Sequence, residues 1–223
     1  MATVYVPSQG PEDWQRRLAE PQKHWRDGYS AKMLAECWEA AHGLPAAVQQ
    51  AFEKSGFEVF AEIEPLLILP EYKTHLPGGK TASQTDVFVL ANAGGGLVAI
   101  AVEGKVEEPF GPTVAEWNAE PTPGKTKRLR FLCEILGLPV DGVGPLRYQL
   151  LHRTASAILE ARRFTARHAV MLVHSFSRRR TWFDDYAAFM AALGGQAVEG
   201  SVTRIPRDGD IALYSGWVSD HAC

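Results

Sequence analysis

Two apolar runs around consecutive glycines constrain this chain most: Asp86-Val-Phe-Val-Leu-Ala91 and Leu97-Val-Ala-Ile-Ala-Val-Glu103 flank Ala93-Gly94-Gly95-Gly96. Short runs rich in valine and isoleucine, joined by glycine, predict a β-hairpin whose strands are buried on both faces. A two-residue turn centred on Gly94-Gly95 makes paired residue numbers sum to 189, which sets Asp86 directly across from Glu103. Strand side chains alternate, so Lys105 shares the face of Glu103. Opposed carboxylates destabilise such a pair unless something compensates, and a divalent cation does so. Hard oxygen ligands suit Mg²⁺ or Mn²⁺, which polarises a phosphate and lowers the pKa of bound water. Lys105 is placed to orient that water or to neutralise charge developing on the phosphate.

The rest of the chain supplies layers for that hairpin. Ser30 predicts a helix N-cap, with Met33, Leu34, Cys37, Trp38 and Ala41 at helical spacing until His42-Gly43, and Pro45 opens a second helix to about Lys54. Phe57 to Leu69 reads as a strand bent at Pro65, followed by a turn at Pro77-Gly78-Gly79. Helices are predicted over Lys125–Leu136, Arg147–Phe164 and Trp182–Leu193, a buried strand over Ala169–Val173, and a terminal hairpin from Val202–Ile205 and Ile211–Trp217 around Asp208-Gly209. The order implies a single α/β domain with a mixed sheet flanked by helices.

At this point the sequence resembles the PD-(D/E)XK, or restriction-endonuclease-like, nucleases. Thr85-Asp86 and Val102-Glu103-Gly104-Lys105, with sixteen residues between Asp86 and Glu103, carry the resemblance, although Gln84-Thr85 stand where that superfamily often has a proline before the Asp. The resemblance implies an αβββαβ core over about residues 30–175, with 1–29 as an N-terminal lid and 176–223 as C-terminal helix and hairpin additions. It implies Mg²⁺ or Mn²⁺ held by Asp86, Glu103 and the Gly104 carbonyl, attack on a phosphodiester assisted by Lys105, and a further catalytic residue in Gln149 on the following helix. Arg153, one turn beyond Gln149 on the same face, is the candidate phosphate contact. The implied activity is metal-dependent hydrolysis of nucleic acid, with DNA favoured over RNA. The alternative is a non-catalytic nucleic-acid-binding or assembly module that retains the fold.

Composition narrows the field. A hydrophobic fraction of 46% and a charged fraction of 22% describe a folded globular chain. The formal net charge of -3 removes the reading of a protein wrapped in basic surface, so a nucleic-acid footprint must be local. Its candidates are Lys125/Lys127/Arg128/Arg130, Arg162/Arg163/Arg167 and Arg178/Arg179/Arg180. No apolar run approaches the roughly 20 residues that span a bilayer, and a cytoplasmic location is expected without membrane partners. Three widely separated cysteines, Cys37, Cys133 and Cys223, predict reduced thiols and no disulfide framework. Gly124-Lys125-Thr126 lacks the earlier glycine of a phosphate-binding loop, and no serine-hydrolase elbow or zinc-protease helix is present. Oligomeric state is left open, with a homodimer among the options.

Overall fold

The computed structural model describes residues 7–221 and 223. Helices α1 (Pro11–Gln15), α2 (Pro21–His24), α3 (Ser30–Ala41) and α4 (Ala46–Ser55) precede strands β1 (Glu64–Thr74), β2 (Ser83–Ala93) and β3 (Gly96–Lys105). Helices α5 (Val114–Trp117), α6 (Pro123–Leu136) and α7 (Tyr148–Arg163) lead to β4 (His168–Ser175), α8 (Phe183–Ala192), β5 (Ser201–Ile205) and β6 (Ala212–Ser219). All six strands form one sheet in the order β1-β2-β3-β4-β6-β5. The β3/β4 and β4/β6 pairs are parallel and the other three are antiparallel. The chain is therefore α/β, with a mixed sheet between helical layers.

The hairpin register is the one that the glycines imply. Val87 pairs with Val102, Val89 with Ile100 and Ala93 with Gly96, each pair summing to 189. A Cβ on Gly95 would lie 2.9 Å from Val59 Cβ, and one on Gly94 would lie 2.9 Å from the Glu58 carbonyl oxygen, so the turn tolerates no side chain. The contact also corrects the expected strand from Phe57. Residues Glu58–Phe60 form a 3₁₀ turn whose carbonyl edge takes up the hairpin, with Gly94 N donating to Ala61 O at 2.8 Å. β1 begins at Glu64 and runs five residues beyond the expected Leu69.

Alternation along the strands splits the core into two layers. Phe88, Leu90, Ala99 and Ala101 pack with α6, α7 and α8 through Leu132, Leu151, Ile158 and Phe189. Val87, Val89, Ile100 and Val102 pack on the opposite face with α3 and α4 through Leu34, Trp38, Val48 and Phe52. Helix boundaries follow local chemistry. Thr122 Oγ1 accepts from Lys125 N at the start of α6, Pro123 occupies its first turn, and Gly137 closes it in the left-handed conformation at φ 71°. Pro45 stands at the N-cap of α4, one position before its first turn.

The expected N-terminal lid lies partly outside the described residues, and its described portion packs on α3, with the Trp14 indole donating to Glu39 at 2.7 Å. Residues 176–223, expected as additions, contribute α8 and two strands to the same sheet. The expectation of reduced, unpaired thiols is overturned, because Cys37 and Cys223 form a disulfide across 186 residues while Cys133 is free and buried. Sequence separation carries no signal for this pairing. It arises because the chain after β6 returns over α3. Among the described residues no helix is long and apolar enough to cross a membrane.

Candidate active site

Asp86, Glu103 and Lys105 meet on the α7 side of the sheet, as the alternation of β2 and β3 dictates. The β2/β3 register, continued one step beyond Val87 and Val102, sets Asp86 opposite Glu103. Glu103 and Lys105 are 2% and 3% exposed, an arrangement that apolar surroundings permit only when the charges are paired. Lys105 Nζ donates to Glu103 Oε1 at 2.6 Å and lies 4.9 Å from the Phe110 ring centre. The expected Gln149 and Arg153, one turn apart on α7, both reach the cluster. Gln149 Nε2 donates to Glu103 Oε1 at 2.6 Å, and Arg153 Nε donates to Glu103 Oε2 at 2.5 Å. Arg153 also lies 3.8 Å from Asp86.

Gly104, between the two charged residues, points the other way. A Cβ there would fall 2.2 Å from Leu34 Cδ1 and 3.2 Å from Ser30 Cβ, so glycine at 104 is what lets α3 sit against β3. Its N–H donates to Asp86 Oδ2 at 2.8 Å and fixes that carboxylate against the neighbouring strand.

A third carboxylate, missed in the sequence, completes the row. Pro70 pairs with Val87 and Tyr72 with Thr85, so Glu71 stands beside Asp86, and three adjacent strands contribute Glu71, Asp86 and Glu103 in sequence across the sheet. Glu71 holds φ at 53°, a left-handed conformation uncommon for this residue type and one that tends to gather at functional sites. Gln84 Nε2 donates to its Oε2 at 2.7 Å and also reaches the Arg17 carbonyl, joining the N-terminal segment to the row. Ending the strand at Leu69 hid Glu71; extending it two residues is the signal that would have found it.

The three acids differ in charge state. Burial pushes Glu71 up to about 8, with the Asp86 charge adding to the rise. Burial and the Glu103 charge push Asp86 up to about 7. Burial opposes ionisation of Glu103 as well, but the Arg153 and Lys105 cations overcome it and hold its pKa below the ordinary value. The compensation assigned to a cation in the sequence is thus partly supplied by Arg153 and Lys105. What remains is a pair of hard oxygen donors, Glu71 and Asp86, poised to lose protons near neutrality beside an ionised Glu103. Such a donor set fits Mg²⁺ or Mn²⁺. Asp86 is 20% exposed, so the row is open to solvent on its side.

Neighbouring groups serve the site or the scaffold. His152 Nδ1 lies 2.8 Å from Ser83 Oγ and 3.3 Å from Arg153, and burial first, then the Arg153 charge, keep it neutral. Of the basic clusters, Arg128 is structural, donating to the carbonyls of Leu76, Pro77 and Thr81. Lys125 donates to the carbonyls of Trp117 and Glu120. Arg178, Arg179 and Arg180 are exposed and follow the end of β4, where Ser175 pairs with Lys105. Arg180 is engaged with Glu199, and its guanidinium lies over Phe183.

Fold and site together define a mixed-sheet α/β protein with a row of buried and half-buried carboxylates served by one lysine and one arginine. The chain belongs to the family described as a domain of unknown function, DUF6946, whose model matches residues 7–222. No curated protein and no solved structure matches it.

Proposed function

We propose that this protein is a metal-dependent nuclease of the PD-(D/E)XK type, acting on phosphodiester bonds with DNA favoured over RNA. One observation carries the reading: carboxylates from three successive strands lie in a row, with Lys105 two residues after Glu103 and α7 closing on Glu103 through Gln149 and Arg153. A purely structural ion pair needs one acid and one base, and gains nothing from adding two acids that burial and mutual repulsion hold protonated.

Asp86, Glu71 and Glu103 would hold the cation, which supplies charge to polarise a phosphoryl oxygen and acidify a bound water. The chain's own groups do the rest. Gly104 N–H fixes Asp86, and Gln149 and Arg153 fix both oxygens of Glu103. Lys105, held over Phe110, presents its ammonium for the developing negative charge. Exposed Arg178 and Arg179 beyond β4 offer a local basic footing for a polyanion on a chain of net negative charge.

The test is cleavage of supercoiled plasmid, linear duplex, single-stranded DNA and RNA with Mg²⁺ or Mn²⁺, comparing wild type with Lys105→Ala and Asp86→Asn. Metal-dependent cleavage that both substitutions abolish is the expected result; cleavage undiminished by Lys105→Ala would refute the assignment. A second reading, a non-catalytic module that binds nucleic acid, draws on the saturation of both Glu103 oxygens by Lys105, Gln149 and Arg153. Salt-sensitive DNA binding with no cleavage on any substrate would favour it.

A further inference from the structure

On the opposite face of the sheet from the carboxylate row, a second cluster gathers four side chains of metal-ligating type. His174 on β4 pairs in register with Gly104 of β3, so the cluster lies directly behind the Glu103-Gly104-Lys105 segment. Cys37 of α3, His174 and Asp220 are all buried, and their donor atoms lie within 4.8 Å of one another. His174 Nε2 is 3.3 Å from Asp220 Oδ2. The same oxygen lies 3.8 Å from Cys37 Sγ and 3.5 Å from Cys223 Sγ. Asp220 is held in place by its own backbone, its N–H donating to Ser175 O at 2.8 Å.

These separations match three of the six edges of a coordination tetrahedron. With Zn–N and Zn–O bonds of about 2.0–2.2 Å and Zn–S bonds of about 2.3 Å, the edges come to about 3.3 Å for N···O, about 3.6 Å for S···O and about 3.8 Å for S···S. The N···O and both S···O distances of the cluster already take such values, and the two sulfurs, joined as a disulfide, move apart once it is reduced. We propose that reduction of the Cys37–Cys223 disulfide converts this cluster into a zinc site with Cys37, His174, Asp220 and Cys223 as its four ligands.

The chemistry balances as follows. A dithiol reductant attacks the exposed Cys223 sulfur, gives up two electrons and two protons to release two thiols, and becomes a cyclic disulfide. Zinc binding then displaces both thiol protons to solvent. The Trp38 indole N–H faces His174 Nδ1 at 3.2 Å, which puts the proton of the neutral imidazole on Nε2, toward Asp220. Ligation through Nε2 moves that proton to Nδ1 and breaks the Trp38 hydrogen bond. Trp38 therefore opposes metal loading and favours the disulfide state.

Cobalt(II) is the probe, added without oxygen to the metal-free 223-residue protein before and after treatment with dithiothreitol, which is removed before the metal is added. The reduced protein should bind one equivalent more than the disulfide form and show thiolate-to-cobalt absorption with tetrahedral d–d bands, which the disulfide form should lack. Cys223→Ser, at an exposed position that leaves the core intact, should lose about half of the sulfur band, while Cys133→Ser should keep all of it. Trp38→Phe should bind cobalt(II) about tenfold more tightly, since changes beside a ligating imidazole shift affinity by about 10- to 100-fold. A reduced protein without sulfur-to-cobalt absorption, or a band undiminished in Cys223→Ser, would overturn the proposal. Weaker binding by Trp38→Phe would remove His174 Nε2 from the ligand set and overturn it equally.

Discussion

Replacing Asp86 by Asn tests the electrostatics of the carboxylate row directly, because Asn keeps an acceptor for the Gly104 N–H and removes the titrating charge. The folded-state pKa of Asp86 is raised from 3.8 to about 7. A raised value means that the folded protein holds the proton longer than the unfolded chain. The stability that this proton confers is complete below about pH 4, declines as pH rises, and is gone above about pH 7. At about 1.4 kcal/mol per pH unit the span from 3.8 to 7 sets an upper limit of about 4 kcal/mol. Solvent contact and coupling to Glu71, which shares the same repulsion, reduce this to about 2 kcal/mol. For a chain of this size that is about 4–8 °C in melting temperature. In buffer with chelator, Asp86→Asn should therefore melt about 4–8 °C above wild type at pH 8 and within about 2 °C of it at pH 4.5. A difference that does not change between those pH values, or a wild type more stable than the variant at pH 8, would show that Asp86 is not the strained acid described here.

Mn²⁺ binding to the row must displace protons from Glu71 and Asp86, so calorimetric affinity should rise about fiftyfold from pH 6 to pH 7 and vanish in Asp86→Asn; a pH-independent affinity would exclude these ligands. Arg153→Met leaves Glu103 buried without its guanidinium partner and should cost about 3–5 kcal/mol in urea unfolding, against a null expectation near zero for an exposed pair. Gly104→Ala drives a methyl group into Leu34 and should cost about 1–3 kcal/mol. Combining it with Leu34→Ala should recover part of the Gly104→Ala penalty, and strictly additive effects in the double-mutant cycle would refute the contact.

Much of the site was legible because strand geometry is periodic. Once Gly94-Gly95 fixes the turn, the opposition of Asp86 to Glu103 and the shared face of Lys105 follow from numbering alone, and the spacing of Gln149 and Arg153 brings both to Glu103 from one helix face. Glu71 was not legible, because its place depends on where β1 ends and on a left-handed backbone that no residue pattern announces. The Phe57–Ile63 alternation misled for a related reason. Its period suits a strand, yet docking against the hairpin turn stabilises a 3₁₀ turn instead. Residues far apart in sequence were the least accessible. The insertion of β6 between β4 and β5, and the meeting of Cys37, His174, Asp220 and Cys223, are products of tertiary closure with no local signature.

The interior position of β6 has a consequence for synthesis. During translation β4 emerges long before its second neighbour, and its residues Ala169 to Val173 are wholly apolar and buried in the finished sheet. Until Ala212–Ser219 leaves the ribosome, the nascent chain carries an open edge of unpaired amides and carbonyls on its most hydrophobic strand, a template for pairing with other chains. Products that stop before Ala212 should accordingly partition into aggregates, even though they contain every residue of the carboxylate row.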